Sequence, residues 1–162
     1  MIRGGCLCGA IRFEVSRFVG PFELCHCSRC RKAFGAAFAP MIGVEAKDFC
    51  WLSGNEHIRR FEAPVIEWPP GYQTAFCETC GSPVPGGADE GADWFEVPAG
   101  LLDDDPGVRP DKHIFIECAS DWFEIGDALP RLTKRDVIRM RMAALGKREG
   151  RSIDSSARTD ED

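Results

Sequence analysis

Cys25-His26-Cys27-Ser28-Arg29-Cys30 packs three thiols into six residues, and the rest of the chain is best understood from what those thiols can hold. Three ligands from one continuous loop leave a tetrahedral metal ion with an open position, where a water or a substrate binds. Two further clusters flank this one: Cys6-Leu7-Cys8 on the N-terminal side and Cys77-Glu78-Thr79-Cys80 on the C-terminal side. Seven of the nine cysteines are therefore grouped, and seven divides into four plus three, one closed metal site and one open. Cysteines at i and i+2 on a straight strand face opposite ways, so Cys6 and Cys8 share an ion only if the backbone bends, and Gly4, Gly5 and Gly9 supply that freedom. Cys77-Glu78-Thr79-Cys80-Gly81 has the spacing of a zinc knuckle. A two-plus-two site from these distant pairs would close a loop of most of the domain, and its metal-binding free energy would become folding free energy.

The fourth ligand of the central cluster is open. His26, His57, His113, Cys50 and Cys118 are the protein candidates. His26 is too close to its neighbours to bend back, and the others have no supporting spacing, which favours water or an exogenous thiol. The alternative is a second structural site, or one only partly occupied. Cys50 and Cys118 sit among apolar neighbours and read as buried small hydrophobes.

A chain of 162 residues accommodates one domain with a modest core. No apolar run is long enough for a membrane helix. The N-terminus enters the first cysteine cluster without a secretory leader, which places the protein in the cytoplasm, where grouped cysteines serve metals more often than disulfides. A net charge of −6 with no basic stripe argues against nucleic acid as a partner. Period-two alternation in residues 10–15 and, more loosely, 113–117 predicts strands, with further strands over 38–44, 49–52, 58–61, 94–97 and 122–125. The fold class is mainly β, a single domain of short antiparallel strands over residues 1–132. Thr133 followed by Asp136 reads as a capping box that opens a helix over 133–146, with Ile138, Met142 and Leu145 on one face and Gly146 at its end. That helix is a packing element or the contact of a homodimer. Residues 147–162 are polar and read as a disordered tail.

Three segments carry a likeness. Gly5-Cys6-Leu7-Cys8-Gly9-Ala10-Ile11-Arg12-Phe13-Glu14, the run from Cys25 to Phe38, and Phe76-Cys77-Glu78-Thr79-Cys80-Gly81-Ser82-Pro83 resemble, in order and spacing, the glutathione-dependent formaldehyde-activating enzyme family, which also includes centromere protein V. The likeness continues to about residue 132. It implies a zinc-tied β-tent fold with two Zn2+ ions per chain, a structural zinc on Cys6, Cys8, Cys77 and Cys80 and a second zinc on Cys25, Cys27 and Cys30. It also implies a carbon–sulfur lyase activity, the formation of S-(hydroxymethyl)glutathione from formaldehyde and a small-molecule thiol, glutathione. The chain departs from the family pattern in a longer segment over 63–75, which contains Trp68 as a lid or dimer contact, and in Pro85, which replaces an aromatic residue.

A thiol that replaces water on an open zinc is held as thiolate, the nucleophilic form. Arg29, Arg31 and Lys32 are the candidates for binding substrate carboxylates, set against a role as solvated surface cations. His26 and His113 are candidate proton carriers, but a structural role is the preferred reading of each, His26 as a loop residue and His113 as the start of a strand. Phe34, Phe38, Trp51, Trp68 and Trp94 are candidates for lining a cleft, with a core role as the default for all but Trp68. The alternative to the enzyme is a non-catalytic, zinc-stabilised binding or scaffold domain.

Overall fold

Arg12–Val15 (β2) buries Phe13 and Val15 completely while Arg12 and Glu14 stay half-exposed, the alternation expected of a strand with one face on the core. It lies between Ile2–Gly5 (β1) and Phe49–Ser53 (β5), antiparallel to both. The chain is described here from a computed structural model, over residues 1–63, 72–87 and 91–155, with side chains to residue 144. No helix among those residues is long and apolar enough to cross a membrane.

A second sheet has five strands. It is built from Phe22–Cys25 (β3), Ala39–Glu45 (β4), Trp94–Pro98 (β8), Lys112–Ile114 (β9) and Arg131–Leu132 (β10), in the order β10-β9-β3-β4-β8. The β3–β4 and β4–β8 pairs are antiparallel, whereas β9 runs parallel to both β3 and β10. Ile58–Ala63 (β6) and Tyr72–Cys77 (β7) form a separate antiparallel pair.

Phe13, Val15, Phe22, Leu24, Ile42, Val44, Phe95 and Val97 form the main core, with Phe49 and Trp51 packed against it. Each such side chain contributes about 2 kcal/mol by leaving water. Two smaller cores are each assembled around cysteines. One joins Cys6 and Cys77 to Ile11, Ile58, Ala75 and Val84, and the other joins Cys25 to Ile114, Phe115 and Val137.

The strands expected over 38–44, 49–52, 58–61 and 94–97 are present to within two residues. The one expected over 122–125 is not. Phe123 N–H instead closes a turn on the Ser120 carbonyl, and Trp122 stands 72% exposed, because no neighbouring strand is there to cover it. The strand at 113 stops at Ile114, where Phe115 takes a left-handed φ of 58° and opens a 3-10 turn over Ile116–Cys118. Such a φ is strained for a bulky residue.

Two helices complete the fold. Ser28–Phe34 (α1) follows the second cysteine of the central cluster, whose sulfur caps it by accepting from Cys30 N–H at 3.3 Å. Lys134–Ser155 (α2) begins at the expected capping box: Thr133 Oγ1 donates to Asp136 Oδ2 at 2.6 Å and accepts from Asp136 N–H at 3.3 Å. The helix does not end at Gly146, and residues 147–155, expected as disordered tail, are helical. A helical glycine costs only about 1 kcal/mol relative to alanine, and the Lys147-Arg148-Glu149 that follows is rich in helix formers. Residues 156–162 and Trp68 lie outside the described residues. The buried position of α2 is Val137, with Ile138 half-buried and Met142 exposed, so the face that packs is offset from the expected one.

Candidate metal centre and cavity

Cys6, Cys8, Cys77 and Cys80 offer four sulfurs, all within 4.8 Å of one another. Measured edges are 3.5 Å from Cys6 Sγ to Cys8 Sγ and 3.9 Å from Cys8 Sγ to Cys77 Sγ. Four sulfurs at about 2.3 Å from a tetrahedral zinc ion stand about 3.8 Å apart, so the donor set fits that ion. The bend between Cys6 and Cys8 closes with Gly9 N–H on the Cys6 carbonyl, and the knuckle closes in the same way with Gly81 N–H on the Cys77 carbonyl. Both glycines hold a positive φ, 77° and 73°, which glycine adopts at no steric cost. Hydrogen bonds already prepare two of the sulfurs, Cys6 and Cys80, for negative charge, whereas Cys8 is pushed up to about 11. Ile11 N–H donates to Cys6 Sγ at 3.3 Å, and the Ser82 hydroxyl, then its backbone, bring the Cys80 thiol down to about 5.

The second cluster is Cys25, Cys27 and Cys30, again with sulfurs within 4.8 Å of one another. Cys25 ends a central strand of the five-stranded sheet, Cys27 caps α1 and Cys30 lies in its first turn. Strand end and helix start thus meet at one point. Hydrogen bonds from Cys25 and then Cys30 push Cys27 down to about 2. Cys25 is pushed up, by Cys27 first, then Cys30 and burial. Cys30 is lowered by its hydrogen bond with Cys25, but the hydrogen bond with Cys27, then burial and the Cys27 charge, outweigh this and raise it to about 12. Three thiols so arranged share one negative charge, and full deprotonation calls for a cation among them.

This cluster opens on a cavity of about 590 Å3. Among the described residues no fourth His, Cys, Asp or Glu joins the three sulfurs. His57 bonds Glu78 on the knuckle at 2.8 Å. Cys50 is exposed, contrary to the burial expected of it, because it lies on the outer face of β5 with its Sγ on the Trp51 carbonyl. Cys118, expected buried, is half-buried and lines the cavity. His26 and His113 stand behind the cluster, fully enclosed. His26 Nε2 lies 2.8 Å from His113 Nδ1, and His113 Nε2 lies 3.0 Å from Asp127 Oδ2. The carboxylate accepts from His113, which in turn accepts from His26. Burial, then the neighbouring His113 and Arg31, lower the His26 pKa, and the array braces the cysteine loop from beneath.

Of the three cations read as substrate ligands, the structure places Arg29 in the cavity wall, over the Tyr72 ring at 5.1 Å. Arg31 instead braces the loop, donating to the His26 carbonyl and to Ser120 Oγ. Lys32 is exposed and outside the lining. Phe34 lines the cavity, whereas Phe38 packs on His26 and Phe123, and Trp51 on Phe13 and Phe49. Pro85 is buried and outside the lining.

Several lining residues went unread in the sequence. Tyr72 Oη points to Cys30 Sγ at 3.6 Å, and burial, followed by the Cys30 charge, raises its pKa, which keeps it a donor. Glu23, Glu96, Lys134 and Arg141 also face the space. Glu23 and Glu96 each carried a local signal, a charge between Phe22 and Leu24 and one between Phe95 and Val97, and Glu23 also stands two positions before Cys25.

Residues 1–118 match the family described as glutathione-dependent formaldehyde-activating enzyme. A protein of Halomonas elongata named putative glutathione-dependent formaldehyde-activating enzyme is 31% identical over 137 residues, 77% of this chain and 81% of that protein. A crystal structure of a Rhodobacter sphaeroides protein superposes with a TM-score of 0.47 at 23% identity, covering 81% of this chain and 99% of the other. Both cysteine clusters lie within the matched residues, and on that match the chain belongs to the glutathione-dependent formaldehyde-activating enzyme family.

Proposed function

We propose that the chain is a cytoplasmic, zinc-dependent carbon–sulfur lyase that interconverts glutathione plus formaldehyde with S-(hydroxymethyl)glutathione. The observation that carries this reading is a cluster of three thiols, without a fourth protein ligand among the described residues, in the wall of a cavity of about 590 Å3. Family membership and the name of the Halomonas relative suggest the substrate pair. Cys6, Cys8, Cys77 and Cys80 would hold a structural zinc, and Cys25, Cys27 and Cys30 a second. When bound at the open cluster, zinc supplies the positive charge that keeps an incoming thiol deprotonated at neutral pH.

The chain's own residues do the rest. Cys25 is fixed by the sheet and Cys27 and Cys30 by the start of α1, so the three sulfurs present one preorganised face to the cavity. Arg29 and Lys134 put positive charge on the wall, where substrate carboxylates accept charge-assisted hydrogen bonds. In the forward direction the S–H bond breaks and an S–C bond forms. The carbonyl π pair moves onto oxygen, which takes up one proton.

Exchange NMR of glutathione with formaldehyde, read against the uncatalysed background, tests this reading. Wild type accelerates exchange and Cys27→Ser does not. Equal rates in the two samples would remove the enzymatic reading and leave a zinc-stabilised binding domain.

A further inference from the structure

The cavity floor is one face of the five-stranded sheet. Side chains on a strand alternate, so Glu23 and Cys25 of β3 point the same way. Across the register, Met41 pairs with both Glu23 and Pro98, and Gly43 pairs with Glu96. Glu23, Cys25, Met41, Glu96 and Pro98 therefore share a face, and all five line the cavity. Strand spacing puts the Cα of Glu96 about 16 Å from that of Cys25, two strands across and four residues along.

Both cations that reach this floor bond the same one of its two carboxylates. Glu23 is 1% exposed and has two cations, Arg141 Nη2 at 3.2 Å and Lys112 Nζ at 3.7 Å. Glu96 has no hydrogen-bond donor among the described residues, and Arg141 reaches it only through space. Burial, then the charge of Glu23, push the Glu96 carboxyl above its ordinary value, as expected of a desolvated carboxylate lacking its counter-ion. Near the cysteines the wall carries the opposite sign, with Arg29 following Cys27 and Lys134 at the start of α2. The cavity thus has cations beside the thiol cluster and, at its far end, a carboxylate without a direct partner among the described residues.

We propose that Glu96 is a specificity-determining residue that selects thiols bearing an ammonium group remote from the sulfur, by forming an ion pair with that ammonium at the far end of the cavity. This rests on the thiol-substrate reading above and deepens it. The ligand it describes has sulfur and one carboxylate near the cluster and a free amine several bonds away; an α-carboxylate on the carbon that bears that amine would face Arg141, which also lines the cavity. Short aminothiols, with the amine next to the sulfur, cannot reach. The γ-glutamyl arm of glutathione can.

Calorimetric titration of the 162-residue chain, as purified with its metal, with glutathione and with N-acetylglutathione tests the proposal. Acetylation removes the positive charge and keeps the sulfur and carboxylates. Wild type should bind glutathione about tenfold more tightly, the worth of one charge-assisted contact. Glu96→Gln should bind both ligands alike, at the level of the acetylated one. Equal and measurable binding of both ligands by wild type would overturn the role of Glu96 while the thiol reading stands. A tenfold preference that survives in Glu96→Gln would overturn it too. If wild type binds neither ligand and exchange NMR shows no acceleration, both readings fall. The two-ligand comparison on wild type decides the question even if the variant does not fold.

Discussion

Tyr72 is the side chain on which the open cluster leans most directly. Its hydroxyl reaches Cys30 Sγ while its ring lies under Arg29. Tyr72→Phe keeps the ring and deletes the donor. Outer hydrogen bonds of this kind tune metal affinity by tenfold or more, so zinc retention at the second cluster should fall about tenfold, measured by competition with a chromophoric chelator. Undiminished retention would mean that the hydroxyl does not support the sulfur. The two cysteine clusters were legible in the sequence because they reside in short spacings, Cys25-His26-Cys27 and Cys77-Glu78-Thr79-Cys80. Tyr72 and Arg141 were not, and Glu96, a charge between Phe95 and Val97, gave no sign of facing the cysteines, because strand register and one helix face bring these residues to the cavity and no local spacing records them. Arg31 shows the converse: its position beside the cysteines looked like a substrate contact, and its guanidinium is used to brace the loop.

Helix α2 carries its own test. Thr133, Val137 and Arg141 recur at i, i+4 and i+8 and so share a face: the first caps, the second fills the core around Cys25, and the third meets Glu23. Thr133→Ala should cost about 1 kcal/mol of stability in urea denaturation and loosen the second cluster with it. The Thr133 side chain, then its backbone, hold the Asp136 carboxyl below its ordinary value. A lowered folded pKa stabilises above the unfolded value, and that stability is lost as pH falls through the folded one. The acid limb of a stability–pH profile should therefore contain a component that is missing in Asp136→Asn. Strands with clear alternation, such as β2, could be read in advance. β3 is buried at all four positions, so it shows no alternation, and β7 opens with Gln73 and Thr74 among its first three residues; neither has a period to detect.

At the scale of the whole molecule, the two cysteine sets divide labour. The closed set ties residues 6–8 to residues 77–80, across most of the N-terminal half, whereas the open set is local to one loop and one helix. Elemental analysis should give two zinc equivalents for wild type and one for a folded Cys27→Ser. Cys6→Ser should lose both metal and circular-dichroism signal, since the closed site's binding energy is folding energy. A folded, metal-free Cys6→Ser would contradict that division. Strand β7 links the two sets: it begins at Tyr72, against Cys30, and ends at Cys77, in the closed set, over a span of about 17 Å. Cys8, in that same closed set, faces solvent. An oxidant or a soft toxic metal that attacks this accessible sulfur would slacken the strand and withdraw the tyrosine at its other end, so the cavity is open to damage from a point it never touches.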